Sequence, residues 1–286
     1  MPERRTVTTT VGPVEFVDLP GEKPPVLFFP GGHSSAAVDC GWEPYRRLGH
    51  RVIAFSRPGY GATRVGHLDP AQFADLIAEV CAQLGVSTIA AAVGVSFGGM
   101  QAVHVATHPS LAVERLALHS CAPSALSYPD TRAERILGPI VFSPLLQGVV
   151  WGLVHRMVRS ESGLKRMLAP LSRIPIDEWW GDLTADDRDE ARDLFLSMSS
   201  DAGFANDLRH SGPDGADARR AAIISVTCPT LVTASRDEGG VSFAHSEEFA
   251  ALIPNATLVE LGSPTHLGWI GPGRPKLDAA VEEFFG

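Results

Sequence analysis

A serine at the centre of a G-x-S-x-G pattern is the first feature of this sequence that could do chemistry. The pattern occupies residues 94–98 (GVSFG) and lies at the end of an apolar run, residues 88–95, that is predicted to be a strand. Between a strand and a helix, flanking glycines allow a tight turn that lifts the serine hydroxyl above the sheet. A helix N-cap is the alternative for a serine among glycines, but the strand–turn–helix context favours Ser96 as a nucleophile.

A serine hydroxyl needs a base, and the base needs a carboxylate that orients it. Two groups of these types follow predicted strands later in the chain: Asp237 after TLVTAS, and His266 in the loop after TLVELG. Because the carboxyl ends of parallel strands share one edge of a sheet, both groups should lie on the same edge as Ser96. Glu238 is the alternative acid. His119, at the end of another predicted strand, is interpreted as a core histidine rather than the base.

Alternation of strands and helices is the pattern that must position these groups. Strands are predicted at residues 6–11, 14–17, 26–29, 51–56, 88–95, 113–120, 230–235 and 257–262, and helices near 37–48, 97–108, 242–253 and 277–285. A further helix should begin at Asp69-Pro70, with the aspartate as N-cap and the proline in the first turn. Strands that are apolar throughout and separated by helices predict an α/β fold with a mostly parallel sheet covered on both faces.

The alternation breaks after residue 121 and resumes near residue 225. The stretch between reads as helices and loops and contains three of the five tryptophans. The simplest interpretation is one α/β core, formed by residues 1–121 and 225–286, with residues 122–224 inserted as a helical segment.

These motifs together resemble the α/β-hydrolase-fold serine hydrolases that carry a helical cap, and the resemblance covers nearly the whole chain. It implies Ser96 as nucleophile, His266 as general base and Asp237 as the acid that orients the histidine. It also implies that residues 122–224 are the cap.

The family's oxyanion loop, usually His-Gly-x, is similar to residues 28–33 (FFPGGH), in which Pro30 replaces the usual histidine. The resemblance implies that the Gly32 and Phe97 N–H groups hold the oxyanion. Residues 57–61 (RPGYG) are similar to the family's next turn. Before the histidine, many members have Gly-x-Gly, where this chain has Gly-Ser-Pro-Thr.

The reaction implied by this resemblance is hydrolysis of a carboxylic ester or lactone through an acyl-enzyme, without a cofactor. Hydrolysis of a carbon–carbon bond in a diketone-like substrate, and acyl transfer or perhydrolysis, would use the same groups. A ligand receptor without catalysis could also share the fold, because function depends on the site.

A small, mostly apolar substrate is expected from the residues near the predicted nucleophile. Met100 follows Ser96 by one helical turn, and His33 adjoins the oxyanion loop. Trp151 belongs to an uncharged stretch, residues 136–154, which by length alone could cross a membrane. Its prolines and glycines, and the arginines on both sides, favour a core or pocket-lining helix pair instead, so we expect no stable membrane span.

The composition and the motifs argue against three kinds of partner or cofactor: nucleic acid, nucleotides and metal ions. The formal net charge is −9, and only three of the 24 basic residues are lysines, so a nucleic-acid partner is not expected. No GxGxxG or P-loop pattern indicates a nucleotide cofactor. His104 and His108 have a metal-binding spacing but no evident third ligand, so no metal site is predicted.

The four cysteines form no CxxC pair and are predicted to be reduced thiols. The N-terminal residues have no apolar core typical of a secretory signal. A cytoplasmic protein that acts on a small molecule is therefore the expectation, with formation of a homo-oligomer left open.

Overall fold

An eight-stranded sheet forms the centre of this computed structural model, which describes residues 2–129 and 147–286. The strands of the chain are β1 (Arg4–Thr8), β2 (Pro13–Leu19), β3 (Lys23–Phe29), β4 (His50–Phe55), β5 (Thr88–Ile89), β6 (Ala91–Val95), β7 (Ala112–Val113), β8 (Leu116–His119), β9 (Thr230–Ala234) and β10 (Ala256–Glu260). Their order in the sheet is β1-β2-β4-β3-β6-β8-β9-β10, while β5 and β7 form a separate parallel pair. From β4 to β10 all neighbouring strands are parallel, and only the pairs β1–β2 and β2–β4 are antiparallel.

Eleven α-helices lie in the described part of the chain. They are α1 (Glu43–Arg47), α2 (Pro70–Gln83), α3 (Gly99–Ala106), α4 (Gln147–Met157), α5 (Glu161–Leu168), α6 (Ile176–Trp179), α7 (Ala185–Ser197), α8 (Gly203–His210), α9 (Ala216–Ile224), α10 (Phe243–Leu252) and α11 (Arg274–Phe285). Helices α1 and α11 pack on one face of the sheet, and α2, α3 and α10 on the other. The predicted α/β class, a mostly parallel sheet with helices on both faces, is confirmed.

Strand β3 shows why both faces need helices. Its side chains alternate, so that Val26 and Phe28 enter one core cluster while Leu27 and Phe29 enter the other. All four are fully buried. A strand that is apolar at every position can be stable in water only when both sides of the sheet are covered.

Helix α2 begins where the sequence predicts. Asp69 is its N-cap and accepts a hydrogen bond from Gln72 N, while the Gln72 side chain accepts one from Asp69 N. This reciprocal pairing satisfies two N–H groups at the start of the helix that would otherwise lack acceptors.

The helix predicted near residues 37–48 is shorter than expected. Asp39 Oδ1 accepts hydrogen bonds from Gly41 N and Trp42 N, and Gly41 has a φ of 98°. This turn delays α1 until Glu43–Arg47. The predicted strands 88–95 and 113–120 are likewise each divided in two.

Between β8 and β9, the described residues form helices and loops, and we call residues 147–224 the helical segment. Its backbone pairs with the loops at the carboxyl edge of the sheet: Ser199 N donates to His33 O, and Ala202 N donates to Gly59 O. The helical segment therefore lies over the edge on which the predicted site residues stand.

The uncharged stretch 136–154 lies partly outside the described residues, which resume at Gln147. Its described part belongs to α4, in which Trp151 is buried while Val149 and Leu153 are exposed. Across residues 2–129 and 147–286, no helix is long and apolar enough to span a membrane.

Candidate active site

Ser96 lies at the tip of a sharp turn between β6 and α3. Its φ is 51°, in the left-handed region that residues other than glycine rarely adopt. A Cβ added at Gly98 would be 2.0 Å from the Phe29 carbonyl oxygen, and one added at Gly94 would be 2.6 Å from the Gly98 carbonyl oxygen. Both glycines are therefore required for the turn to pack, and the turn places the serine at the carboxyl edge of the sheet.

The loop after β3 lies directly against this turn. A Cβ added at Gly31 would be 3.1 Å from the Ser96 Cβ. The Gly32 N–H has no hydrogen-bond acceptor among the described residues. Phe97 lies in the first turn of the short 3₁₀ helix Ser96–Gly98, where N–H groups lack acceptors within the helix. Two backbone N–H groups close to Ser96 can therefore donate to a ligand oxygen.

Arg57 holds the loop that carries Gly31 and Gly32. Its Nε donates to the Pro30 carbonyl and its Nη2 to the Gly31 carbonyl, each at 3.0 Å. The same guanidinium is paired with both carboxylate oxygens of Asp207 on α8, and both side chains are buried. Burial disfavours the charge of Arg57, but Asp207 more than compensates, so the pKa of Arg57 is raised.

Tyr60 extends this network to the end of the same loop. Its hydroxyl donates to Asp207 Oδ2 at 2.7 Å and accepts from the His33 N–H at 3.2 Å. The sequence singles out the turn at residues 57–61, but nothing local points to Asp207, because that residue lies 150 positions after Arg57. One carboxylate from the helical segment thus fixes two side chains that hold residues 30–33, the loop that resembles the family's oxyanion loop.

His266 pairs with Glu238, the alternative acid, and not with Asp237, which the sequence favours. His266 Nδ1 lies 3.2 Å from Glu238 Oε2, and Glu238 is 1% exposed, whereas Asp237 is exposed to solvent. Glu238 N donates to Ser235 O across a turn, so Arg236 and Asp237 occupy the outer corners. The second acid after the strand therefore turns back toward the sheet, and its longer side chain reaches the imidazole.

Leu171 of the helical segment bonds to two loops at once. One is the loop after β9 that carries Glu238, here called the acid loop, and the other is the loop after β10 that carries His266, here called the histidine loop. The Leu171 carbonyl accepts from both Gly239 N at 2.9 Å and His266 N at 3.0 Å. A Cβ at Gly240 would be 2.7 Å from the His266 ring, so the acid loop packs directly against the imidazole. This packing leaves little freedom for the ring to leave Glu238.

Ser96 and His266 stand on the same edge of the sheet but are not hydrogen-bonded to each other. Each follows a parallel strand, β6 and β10, at its carboxyl end, and each is partly exposed. The structure therefore pairs the histidine with a carboxylate, while the serine hydroxyl has no partner among the described residues.

An aromatic cluster borders the oxyanion loop. The His33 ring stacks on Phe204 with centroids 4.0 Å apart and meets Trp151 edge-on at 5.2 Å. Ser200 Oγ lies 2.8 Å from both His33 Nδ1 and Trp151 Nε1. Burial and the charge of Arg57 lower the pKa of His33 to about 3, so this histidine is neutral.

Met100 does not belong to this cluster. It is 3% exposed, packs in the core beside α2, and lines a separate cavity together with Phe97. A role of Met100 in substrate binding therefore stays a prediction, as it does for His33 and Trp151, which lie beside the oxyanion loop.

Two other buried histidines have structural partners. His119 is buried between the Tyr45 hydroxyl and Thr233 Oγ1. His245, on α10, accepts a hydrogen bond from Ser124 N. The four cysteines are unpaired, three of them buried. In residues 2–129 and 147–286 no group of His, Cys, Asp or Glu side chains could hold a metal ion.

Residues 24–270 match the family described as alpha/beta hydrolase fold. A Bacillus subtilis (strain 168) protein named uncharacterized hydrolase YcgS is 27% identical over 271 residues, which are 93% of this chain and 92% of that protein.

Two solved structures are similar over almost their whole length. A thermophilic esterase from Thermogutta terrifontis superposes with a TM-score of 0.68 at 22% identity, covering 98% of this chain and 97% of the esterase. The enol-lactonase from Burkholderia xenovorans LB400 superposes with a TM-score of 0.70 at 17% identity, covering 98% and 99%. At these identities, the structures show a common fold.

Proposed function

Because this chain belongs to the alpha/beta hydrolase fold family and is a hydrolase, we propose that it cleaves a carboxylic ester or lactone of a small, mostly apolar substrate through a serine acyl-enzyme. The observation that carries the proposal is Ser96, held in a left-handed conformation at the carboxyl edge of the sheet. The paired side chains His266 and Glu238 reach the same edge.

In the first step, Ser96 Oγ attacks the carbonyl carbon while its proton passes to His266 Nε2. Glu238, on the Nδ1 side, fixes the tautomer that leaves Nε2 basic and stabilises the imidazolium that forms. The missing contact between Ser96 and His266 fits this role, because catalytic hydrogen bonds are often long without substrate and tighten when it binds.

The negative charge that develops on the carbonyl oxygen would be held by the N–H groups of Gly32 and Phe97. Each such donor is typically worth about 3 kcal/mol of transition-state stabilisation. When the intermediate collapses, His266 gives its proton to the leaving alcohol oxygen. The same base then activates a water that attacks the acyl carbon, releasing the acid and restoring Ser96.

An uncharged, mostly apolar substrate fits the residues beside the oxyanion loop. Phe204 would lie 3.5 Å from a Cβ at Gly32, so the aromatic cluster borders the place where the carbonyl oxygen should sit. His33 in this cluster is neutral and so offers no charge to an ionic substrate group. A charged group placed here would lose its hydration without a counter-charge. We further propose that the helical segment acts as a cap over this site.

The test is covalent labelling together with turnover. A fluorophosphonate should form one adduct, mapped by mass spectrometry to the peptide that contains Ser96. Ser96→Ala should remove both the label and hydrolysis of nitrophenyl butyrate, a loss on the order of 10⁶ in kcat. Product analysis with an ester, a lactone and a diketone then distinguishes oxygen–carbon from carbon–carbon cleavage.

Ser120 provides the matched control. It also has a positive φ, 47°, and it follows the neighbouring strand β8. Labelling that persists in Ser96→Ala and disappears in Ser120→Ala would refute the assignment of the nucleophile, as would a folded Ser96→Ala protein within tenfold of parental activity.

A further inference from the structure

Residues 122–128, which follow β8 and which we call the bridging segment, connect the nucleophile turn to the acid loop. At one end of the bridging segment, Ala122 N donates to the Ser96 carbonyl at 3.2 Å. At the other end, the Tyr128 hydroxyl donates to the Gly240 carbonyl of the acid loop at 2.7 Å. The bridging segment is therefore bonded to both sides of the proposed active site, and its length limits how far apart the two sides can lie.

Buried hydrogen bonds hold the bridging segment in place. Arg219 on α9 is 5% exposed, and its guanidinium donates to the carbonyls of residues 124–126. The Tyr128 N–H donates to the carbonyl of Ser211, which follows α8, at 3.0 Å. A buried guanidinium needs acceptors for its N–H groups, so these carbonyls cannot move away without a cost in stability. Tyr128 is therefore presented to the acid loop from a fixed backbone.

The acid loop is restrained at two consecutive residues. Gly239 N donates to the Leu171 carbonyl, and the next carbonyl, that of Gly240, accepts from Tyr128. A Cβ at Gly240 would be 2.7 Å from the His266 ring, so this part of the loop lies directly against the imidazole. Because glycine has no side chain to limit its backbone rotation, the bond from the tyrosine is what restrains this carbonyl.

The ring of Tyr128 contacts the opposite side of the site. It meets the Phe97 ring edge-on, with centroids 5.0 Å apart and an angle of 77° between the ring planes, a favourable arrangement for two aromatic rings. Phe97 carries one of the two N–H groups proposed to hold the oxyanion. Tyr128 is partly buried against the cluster that Tyr60, Phe97 and Phe204 form. One side chain thus packs on the oxyanion side and bonds to the histidine side.

The separation of Ser96 and His266 depends on such restraints, because the two side chains are not bonded to each other. We propose, on the premise of the proposed function, that Tyr128 is a positioning residue. Its hydroxyl holds the acid loop, and with it the pair of Glu238 and His266, in alignment with the nucleophile turn. Tyr128 transfers no proton; it acts through Gly240 and the imidazole that packs on this glycine.

Tyr128→Phe tests the role of the hydroxyl, because it removes that group and keeps the ring. We expect kcat for nitrophenyl butyrate to fall about tenfold while KM stays within about twofold, since the lost hydrogen bond weakens alignment in the transition state and not substrate binding.

Tyr45→Phe is the matched control. The Tyr45 hydroxyl also forms a 2.7 Å hydrogen bond, to His119 Nε2, and Tyr45 is fully buried. In urea, this variant should lose at least as much free energy of unfolding as Tyr128→Phe, yet its kcat should stay within about twofold of the parent. An equal fall of kcat in both variants, or a fall below twofold in Tyr128→Phe, would overturn the proposal.

A double-mutant cycle shows whether Tyr128 acts through the acid loop. The rate of acylation is measured in single turnovers, with the enzyme in excess over nitrophenyl butyrate. In the Glu238→Gln protein, adding Tyr128→Phe should lower this rate less than about twofold, because the hydroxyl then has no aligned acid to preserve. A tenfold loss in both proteins would show that Tyr128 acts independently of Glu238 and would refute the inference. If the parent neither hydrolyses an ester or lactone nor is labelled at Ser96, the proposed function itself is refuted, and the role of Tyr128 with it.

Discussion

Replacing Asp207 by asparagine tests whether the helical segment controls the oxyanion loop. The carboxylate pairs with Arg57 and accepts from the Tyr60 hydroxyl, and these three side chains are almost fully buried. Asparagine retains the shape but removes the charge, which leaves the Arg57 guanidinium buried without a counter-ion. Breaking one side of a buried ion pair typically costs about 3–5 kcal/mol.

We expect Asp207→Asn to lower the free energy of unfolding by about 3 kcal/mol, the lower end of this range, because the amide oxygen can still accept one hydrogen bond. Arg57 would no longer be held in one position against the Pro30 and Gly31 carbonyls. A shift of the Gly32 N–H away from the oxyanion cannot lower kcat by more than complete loss of this donor would, which is about 10²–10³-fold. A fall of about 10–100-fold in kcat is therefore expected, with KM within about threefold because the loop acts on the transition state.

Urea unfolding measures the free energy of unfolding. The kinetics of nitrophenyl butyrate hydrolysis, measured where every variant is folded, give kcat and KM. Asp193→Asn on α7 is the control, since the Asp193 side chain is exposed and makes no hydrogen bond or ion pair with any described residue. Arg57→Lys keeps the charge but cannot reproduce the guanidinium's bonds, and it should lower kcat in the same way. If Asp207→Asn matched Asp193→Asn in both stability and kcat, the reasoning would be refuted.

Two further predictions follow from side chains that the structure buries. Glu238→Gln should lower kcat by about 10⁴, because the amide favours the wrong tautomer of His266. Asp237→Asn should change kcat less than threefold. If steady-state kinetics showed the reverse ranking, Asp237 would be the acid that orients His266. Burial lowers the pKa of His119 to about 4 from 6.5, so its contribution to stability is full above pH 6.5 and is lost as pH falls toward 4. Between pH 8 and pH 5, urea unfolding of the parent should therefore lose about 2 kcal/mol more than that of His119→Gln, and equal losses would contradict the shift.

The sequence predicts those parts of the site that depend on local signals. Ser96 follows from glycine spacing after an apolar strand, and His266 from its place after the last strand. The choice between Asp237 and Glu238 could not be made in this way. It depends on the direction of one turn, which is set by the hydrogen bond from Glu238 to Ser235 and by the packing of the loop on the helical segment.

The fold shows the same division between local and distant causes. The N-cap of α2 is predicted from the adjacent residues Asp69 and Pro70, and the structure reproduces it. The delayed start of α1 depends on the side chain of Asp39 bonding to its own loop, a competition that helical periodicity does not reveal. The network of Arg57 and Asp207 joins segments that meet only after the chain has folded.

Three loops of the proposed active site, those that carry Gly32, Glu238 and His266, are bonded to the helical segment. Asp207 holds Arg57 and with it the oxyanion loop, while the Leu171 carbonyl receives N–H groups from both the acid loop and the histidine loop. Because these bonds reach the loops that carry the reacting groups, displacement of the helical segment would change their alignment as well as access to them. Substitutions at Asp207 should therefore appear in kcat, whereas substitutions that only widen the entrance should appear in KM.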